Sequence, residues 1–311
     1  MQARKNILAA IDVGTNTVRM LVAEADRDRV RPLLRRRRIT GLGKNLRNTG
    51  EIGEREFRES IDALREFRRD MDALGVTRYR ACGTAGLREA SNRKAFLEIS
   101  AGAGIDVEII SAAEEARRTW EGVTGRLRDR GGTLIMDIGG GSTEFITGAR
   151  TRDSVSLPIG VVVLMGSFRM SDPPHPAERR NLQLFLADRI AAGTRELPRR
   201  KTRRMVGTAG TFTTLAALEM RMRTYRPERI EGYRMTMSMV RRWEERLSRL
   251  SEDERLRLPG MEKGRERYIL PGVMQALAAM EHFGRKDLHI SDSGLLEGIL
   301  AGIANGKEER G

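Results

Sequence analysis

Two segments of the chain share one order of residue types, an aspartate followed by a turn rich in glycine and hydroxyl side chains. The first copy is AIDVGTNT at residues 10–17, and the second is MDIGGGST at residues 136–143. Apolar runs typical of buried strands lie on both sides of each turn. Glycine lets backbone N–H groups come close to phosphate oxygens, and an aspartate can bind a divalent cation. The repeat therefore predicts two related halves that serve one phosphate site.

The second copy carries more chemistry, because Asp137 and Glu144 flank its three glycines and Ser142. This content predicts a site for phosphate and metal together, whereas the alternative is a tight hairpin that uses glycines only for its geometry. A third loop, Gly207–Thr211, follows a short strand and opens a helix, whose N-terminus favours anions. None of the three loops matches the nucleotide P-loop or the dinucleotide fingerprint.

Two neighbouring glutamates lie where a strand runs into a helix, in the segment IISAAEEARR. Ser111 and Glu114 have the spacing of a capping box, so we expect the Glu114 carboxylate to accept a hydrogen bond from the Ser111 backbone. Glu115 has no such role and is a candidate general base for activating water. The alternative is an ordinary surface acid paired with Arg118 or Thr119 one turn later, and spacing alone favours this alternative.

A further loop after a strand contains Thr84 and Arg88, and the guanidinium group could bind phosphate through two parallel hydrogen bonds. Taken alone, Arg88 is better explained as one solvated arginine among fifty. The single cysteine, Cys82, stands in an apolar stretch and is predicted to be a buried, inert thiol. The three histidines show no metal-ligand spacing, so histidine chemistry is not expected.

The charge balance predicts a polyanionic partner, because 57 basic and 43 acidic side chains give a formal charge of +14. The densest basic run, Arg35–Arg38, is interpreted as alternating along a solvated strand. Aromatic residues make up 5% of the chain and none lies within this run, which argues against nucleic acid as the partner. No segment reaches the ~18 consecutive apolar residues of a membrane helix, so we expect a cytoplasmic protein without a membrane partner.

Strand and helix patterns alternate along both halves of the chain, which predicts an α/β fold with duplicated topology. A polar break with two glycines at residues 128–132 separates predicted domains at residues 1–127 and 128–311. Strands are predicted at residues 7–11, 19–23, 79–82, 107–110, 133–138, 143–147, 155–157 and 205–206, with an extended basic stretch up to residue 40. Helices are predicted at residues 54–74, 92–100, 112–127, 177–197, 211–222, 269–283 and 295–305.

Taken together, these segments resemble the exopolyphosphatase and guanosine pentaphosphate phosphohydrolase family in its short, two-domain form. The resemblance covers nearly the whole chain and includes four more motifs in order: LREASN at 87–92, SLPIG at 156–160, VGTAGT at 206–211 and SDSGLLEG at 291–298. The superfamily also holds actin, sugar kinases and chaperone ATPases. The resemblance implies two ribonuclease-H-like, actin-like ATPase domains around a central cleft.

The resemblance also implies hydrolysis of the terminal phosphoryl group of inorganic polyphosphate, of guanosine pentaphosphate or of both, with Mg2+ as the cofactor. The family's catalytic glutamate falls on Glu115, which reverses the preference from spacing, and its metal carboxylates fall on Asp137 and Glu144. Homodimers are a further expectation from the family. Substrate or phosphate contacts are expected from Asp12, Gly14, Thr15, Asn16, Arg19, Thr84, Arg88, Gly139, Gly140, Gly141, Ser142, Thr143, Gly207 and Thr208.

The chain departs from the family pattern at a few positions. Val163 stands where many relatives carry an arginine, which leaves the affinity and the preferred chain length open. Thr15 and Thr17 stand where serines are usual, and threonine keeps the hydroxyl. Two other functions remain as alternatives: a kinase of the same superfamily, which needs an acceptor, and a sensor that binds polyphosphate or an alarmone without turnover.

Overall fold

The chain forms two compact units, the first comprising residues 1–125 and 294–311 and the second residues 126–293. The computed structural model describes residues 6–26, 29–125, 127, 129–150, 153–197 and 202–306. Each unit contains one mixed β-sheet with helices packed on it. Within the described ranges, no helix is long and apolar enough to cross a membrane.

The described part of the first 125 residues contains ten regular elements. They are β1 (Ile7–Val13), β2 (Thr17–Asp26), β3 (Arg29–Ile39), α1 (Leu46–Thr49), α2 (Glu54–Leu74), β4 (Arg78–Gly83), α3 (Ala85–Glu89), α4 (Arg93–Gly102), β5 (Val107–Ile109) and α5 (Ala112–Thr124). The rest of the chain continues with β6 (Thr133–Ile138), β7 (Thr143–Ile146), β8 (Ser154–Leu157), α6 (Val161–Ser167), α7 (Pro176–Gly193), β9 (Arg204–Thr208), α8 (Ala209–Glu219), α9 (Pro227–Ile230), β10 (Arg234–Thr236), α10 (Met237–Ser248), α11 (Glu252–Leu256), α12 (Ile269–His282), β11 (Asp287–Ile290) and α13 (Leu295–Ala304).

The sheet of the first unit has the strand order β3-β2-β1-β4-β5. The strand β2 is antiparallel to both of its neighbours, β1 and β3, whereas β1, β4 and β5 run parallel. Successive side chains of β1 alternate between two apolar cores, as the two-residue period of a strand requires. Ala9 and Ile11 join the core that includes α2, while Leu8 and Ala10 join the core that includes α13.

The sheet of the second unit has the order β10-β11-β9-β6-β7-β8. Five of its strands, β8-β7-β6-β9-β11, repeat the order and the directions of the first sheet, and β10 is added antiparallel at the β11 edge. Its core packs α7, α8, α10 and α12 against the sheet. The predicted α/β fold with duplicated topology is confirmed.

The last helix corrects the predicted domain boundary. Domains at 1–127 and 128–311 place α13 in the second domain, but α13 packs against α5 and β1 of the first unit. The break after Gly125 lies close to the predicted one, although residues 126 and 128 are outside the described ranges. The two helices approach so closely that a Cβ atom on Gly298 would lie 1.9 Å from the carbonyl oxygen of Arg118.

The basic run on β3 is paired with acidic side chains rather than simply solvated. Arg36 and Arg38 form ion pairs with acids of α2, at N···O distances of 2.8 and 2.6 Å. Arg35 points to the other face of the strand and pairs with Glu297 of α13 at 2.9 Å. The predicted alternation is therefore present, but nearby carboxylates neutralise much of its charge.

Candidate active site

The two repeated segments form hairpins with the same geometry, one in each unit. In the first, the amide of Gly14 donates to the carbonyl of Thr17 at 3.0 Å, and Asp12 lies opposite Arg19 across β1 and β2. In the second, the amide of Gly139 donates to the carbonyl of Ser142 at 3.0 Å. Asp137 there lies opposite Glu144 across β6 and β7. Both aspartates therefore occupy the same position in their hairpins.

The cross-strand partners give the two aspartates different electrostatic surroundings. The guanidinium of Arg19 donates twice to Asp12 Oδ2, from Nε at 2.9 Å and from Nη2 at 2.5 Å. Asp12 is buried and largely neutralised by this ion pair. Asp137 has a second carboxylate, Glu144, directly across the strand pair, so the second hairpin concentrates negative charge. Two neighbouring carboxylates are suitable ligands for a hard divalent cation, which binds oxygen atoms.

Asp137 and Glu144 belong to a row of oxygen-bearing side chains on one face of the second sheet. Register places Thr208 of β9 opposite Asp137, and Ser156 of β8 opposite Glu144. Residues directly opposite in adjacent strands share a face. The Ser156 hydroxyl donates to Glu144 Oε1 at 2.7 Å, and the Thr208 hydroxyl donates to the carbonyl of Ser293 at 2.8 Å. The row therefore orients its acceptor oxygens through local hydrogen bonds.

The triple-glycine turn beside this row is held by the start of α6. The amides of Val161 and Val162 donate to the carbonyls of Gly139 and Gly140 at 3.0 and 2.9 Å. Gly160 is required here, because its Cβ would lie 2.3 Å from the Gly140 carbonyl oxygen. In the described part of the chain, the amides of Gly140, Gly141 and Ser142 donate to no protein acceptor. Such successive amides are donors that phosphate oxygens can use.

Thr143 does not belong with the phosphate-binding side chains, which corrects its predicted role. It precedes Glu144 on β7, so its side chain points to the opposite face of the sheet. The hydroxyl is fully buried and donates to Oε1 of Gln275 in α12 at 2.8 Å. Thr143 therefore anchors β7 to the core, and only its backbone adjoins the turn.

The junction of β9 and α8 has an uncommon backbone conformation. Ala209 has φ of 68°, a left-handed value that side chains other than glycine seldom adopt. Gly207 and Thr208 end β9 just before this residue, and α8 begins at Ala209. The predicted opening of a helix after Gly207-Thr208 is confirmed, which places the N-terminal dipole of an 11-residue helix at this loop.

The first hairpin turn contains buried oxygen atoms that lack a hydrogen-bond donor. Its backbone is fixed, since Gly43 donates to the Thr15 carbonyl at 2.7 Å and Gly41 to the Asn16 carbonyl at 3.0 Å. Among the described residues, Asn16 Oδ1 and Asp12 Oδ1 are buried without a partner. Buried polar atoms are normally satisfied by protein or by bound groups. These two atoms therefore mark the turn as a place where a ligand or water completes the structure.

Glu114 is occupied, but not in the predicted way. Ser111 caps α5 by accepting the Glu114 amide at 3.2 Å. The Glu114 carboxylate instead accepts a hydrogen bond from Arg80 of β4 at 2.9 Å, so the predicted return bond to Ser111 is wrong. Burial acts to raise the pKa of Glu114, but the hydrogen bond and charge of Arg80, with Arg118 and Arg117, leave that pKa below its ordinary value.

Glu115 lies on the first turn of α5 and its carboxylate contacts Arg88. Arg88 Nη1 is 3.3 Å from Glu115 Oε2 and donates to the carbonyl of Ile110 at 2.8 Å. The glutamate side chain is 15% exposed and the arginine side chain 28% exposed. Thr84 is the residue before α3, the short helix that carries Arg88. The structure thus brings together Glu115 and Arg88, two residues that spacing alone assigned to the surface.

Cys82 lies on β4 directly opposite Asp12 of β1 and is completely buried. Burial raises the pKa of the thiol to about 12, opposed by the charge of Arg80 and assisted by nearby carboxylates. A thiol in this state is protonated at neutral pH and is a poor nucleophile. The prediction of a buried, inert cysteine is confirmed.

A sequence profile of the Ppx/GppA phosphatase family matches residues 21–306. The chain belongs to this family. Among curated relatives, exopolyphosphatase 2 of Mycobacterium tuberculosis is 31% identical over 313 residues, which cover 96% of this chain and 98% of that protein. The resemblance predicted from the ordered motifs is confirmed.

Solved structures of Ppx/GppA proteins share the fold. The Aquifex aeolicus Ppx/GppA family member has a TM-score of 0.83 and is 32% identical, with 98% of this chain and 99% of that chain covered. An exopolyphosphatase from Cytophaga hutchinsonii has a TM-score of 0.87 and is 28% identical, with 96% and 98% covered. Both likenesses extend over the two units described above.

Three residues of the Ppx/GppA site have roles that the sequence did not predict. Ser156 orients Glu144, Gly160 supports the triple-glycine turn, and Gln275 buries Thr143. Ser156 and Gly160 lie within the SLPIG motif, so that motif was a usable signal. Gln275 gave no signal, because its partner is 132 residues away in the chain.

Proposed function

We propose that this Ppx/GppA chain is an exopolyphosphatase that removes the terminal phosphoryl group of inorganic polyphosphate. The observation that carries the proposal is the second hairpin, where two in-register carboxylates adjoin a turn with three available amides. This combination suits a phosphate group together with a divalent cation. The relatives named exopolyphosphatase support the choice of substrate.

We propose Mg2+ as the cation and Asp137 and Glu144 as its protein ligands. Mg2+ prefers oxygen ligands and commonly takes one or two carboxylates, with water and substrate phosphate completing its shell. Asp137 and Glu144 supply two carboxylates in register, and since no group of three or more histidine, cysteine, aspartate or glutamate side chains gathers within the described ranges, water and substrate phosphate would have to supply the other ligands. When bound, the cation would supply charge stabilisation to the phosphoryl oxygens.

Glu115 is proposed as the general base. Its carboxylate accepts a proton from water while the water oxygen forms a bond to the terminal phosphorus and the bridging P–O bond breaks in line. The released orthophosphate and the shortened chain account for all the atoms. Arg88 fixes the carboxylate at one oxygen and is placed to bind a phosphate oxygen as a second partner.

The decisive experiment replaces Glu115 by Gln and measures phosphate release from long polyphosphate. Loss of a general base should lower kcat by about 10²- to 10⁴-fold, because the amide cannot accept the proton. The matched control is Glu98→Gln, an exposed glutamate of α4 that lies 3.9 Å from Lys94. Thermal unfolding of both variants should resemble that of the parent. Undiminished phosphate release by Glu115→Gln would overturn the assignment.

Substrate identity is tested by comparing polyphosphate, guanosine pentaphosphate and ATP, each with and without Mg2+. Release of orthophosphate from polyphosphate without any acceptor supports the proposal. A requirement for a small acceptor would support the kinase alternative, and binding without turnover would support the sensor alternative. Guanosine pentaphosphate hydrolysis, homodimer formation and a cytoplasmic location stay predictions.

A further inference from the structure

Several arginines of the second unit line one surface pocket. A pocket of about 290 Å3 lies at the C-terminal end of α8, beside α10. Its charged and aromatic lining consists of Glu219, Arg221, Arg242, Trp243 and Arg246, and apolar side chains complete the wall. We call this feature the α8–α10 pocket. The arginines of β3, by contrast, are paired with acids of α2 and α13.

The one carboxylate of the α8–α10 pocket is already engaged. Glu219 accepts hydrogen bonds from Arg242 Nη2 at 2.8 Å and from the Trp243 indole N–H at 2.5 Å. Arg221 and Arg246 form no ion pair with any acid in the described part of the chain. Arg242 is therefore neutralised, while two guanidinium groups remain uncompensated in one concave site.

The Arg246 side chain contacts an aromatic ring, and the Arg221 backbone has an uncommon conformation. The guanidinium carbon of Arg246 lies 5.0 Å from the centroid of the Trp243 ring, within the range of a cation–π contact. Arg221 has φ of 50°, a conformation that glycine or asparagine adopts more readily. Two guanidinium groups without an acidic partner among the described residues, one of them stacked on an indole ring, offer donors that suit phosphate oxygens.

We propose that the α8–α10 pocket is an exosite that binds an inner segment of a long polyphosphate chain. The proposal rests on the proposed exopolyphosphatase function. The pocket lies at the end of α8, and the Gly207-Thr208 loop lies at its start. An α-helix rises about 1.5 Å per residue, so the 11 residues of α8 separate the two places by about 16 Å. Residues 211–218 of α8 are buried, so a bound chain runs around the helix over a longer surface path, and only a substrate of many phosphate units spans it.

The exosite predicts a dependence on chain length. A long chain contacts both the α8–α10 pocket and the catalytic site. Binding at the pocket raises the effective concentration of the chain end at the catalytic site. Tripolyphosphate is too short to contact both. The competing explanation is that Arg221 and Arg246 merely stabilise the C-terminal end of α8 through its dipole. Replacing them would then change the stability of the protein and would affect the kinetics of every substrate equally.

The test is the double variant Arg221→Gln/Arg246→Gln, compared with Arg58→Gln/Arg65→Gln on the exposed face of α2. Both variants lose two positive charges, and among the described residues Arg58 and Arg65 pair with acids of their own helix. We expect KM for long polyphosphate to rise on the order of tenfold in the first variant, with kcat/KM for tripolyphosphate unchanged. The control should keep both values.

Direct binding separates this proposal from the proposed function. Glu115→Gln protein, alone and combined with the double variant, is titrated with long polyphosphate and with a single-stranded RNA oligonucleotide. Weaker polyphosphate binding in the combined variant supports the exosite even if the parent hydrolyses no polyphosphate. Unchanged polyphosphate binding, equal losses for long chains and tripolyphosphate, or loss of RNA binding alone would overturn it. Should the double variant fail to fold, Arg246→Gln is measured instead.

Discussion

Asp12 and Asp137 show how one cross-strand neighbour decides the chemistry of a repeated motif. Both aspartates end a buried strand and precede a glycine turn closed by the same 3.0 Å hydrogen bond. Seven positions later the first hairpin has Arg19 and the second has Glu144. The first carboxylate is therefore paired within the protein, while the second shares its face of the sheet with another acid.

We predict that Asp137→Asn raises the Mg2+ concentration needed for half-maximal activity by on the order of tenfold or more. The amide keeps the shape but removes a negative ligand from a hard cation. A Mg2+ titration of phosphate release measures the effect. Asp62→Asn on the exposed side of α2 is the control and should leave the titration unchanged. Identical Mg2+ curves for Asp137→Asn and the parent would contradict the metal assignment.

Glu114 should contribute a pH-dependent part of the stability. Its folded-state pKa lies below its ordinary value of 4.5, so its contribution is present above about pH 5 and is lost as the pH falls through the folded-state pKa. We predict that Glu114→Gln lowers the free energy of unfolding by about 1 kcal/mol or less at neutral pH and flattens its decline in acid. Urea unfolding between about pH 3 and pH 7 measures both. An unchanged acid slope would contradict the role of Arg80.

The site was predictable from the sequence where the signal is local, and not where it depends on pairing. The glycine turns, Asp137, Glu144 and the helix start after Gly207-Thr208 are short-range patterns. The partner of Glu114 could not be predicted, because Arg80 is 34 residues away and reaches it only through the parallel pairing of β4 and β5. Glu115 required the family resemblance, since spacing alone favoured an ordinary surface acid.

At the scale of elements, the position of α5 depends on α13. A Cβ on Gly122 would lie 2.0 Å from the Gly294 carbonyl oxygen, and a Cβ on Gly298 would meet the Arg118 carbonyl. Backbone therefore packs on backbone between the two helices, which leaves α5 little freedom to shift. Because α5 carries Glu115, this contact also fixes the height of the proposed base above the sheet.

We predict that Gly298→Ala lowers the free energy of unfolding by about 1–3 kcal/mol, since the added methyl group forces the two helices apart. The control is Gly102→Ala at the end of α4, where a Cβ meets nothing within 4 Å. The control should be neutral or gain about 0.5–1 kcal/mol from its higher helix propensity. Chemical denaturation measures both variants. Equal stabilities would show that the contact has room for a side chain.

Most elements with a clear period were predicted from the sequence. The bounds of α2 and β6 agree with the predicted ranges, and α12 and α13 differ by one residue at the C-terminal end. The helix α5 ends at Thr124, three residues before the predicted end. We did not predict α10 or β11; β11 is only four residues long, and too short for its period to be recognised.

At the scale of the whole molecule, composition predicted the sign of the charge but not its location. The densest basic run lies on β3, where acids of two helices pair with it. The uncompensated arginines at the α8–α10 pocket come from two separate segments, so no sequence window contains them. Charge distribution depends on the folded pairing of distant residues, whereas net charge does not.

The position of α13 has a consequence for how the protein is made on the ribosome. The first unit begins with β1, but the helix that covers Leu8, Ala10 and Leu21 is synthesised after residues 126–293. At about 5–20 residues per second, that apolar face waits roughly ten to thirty seconds for its cover. The nascent first unit therefore presents a surface for chaperones during that interval, and the second unit is able to fold before the first is complete.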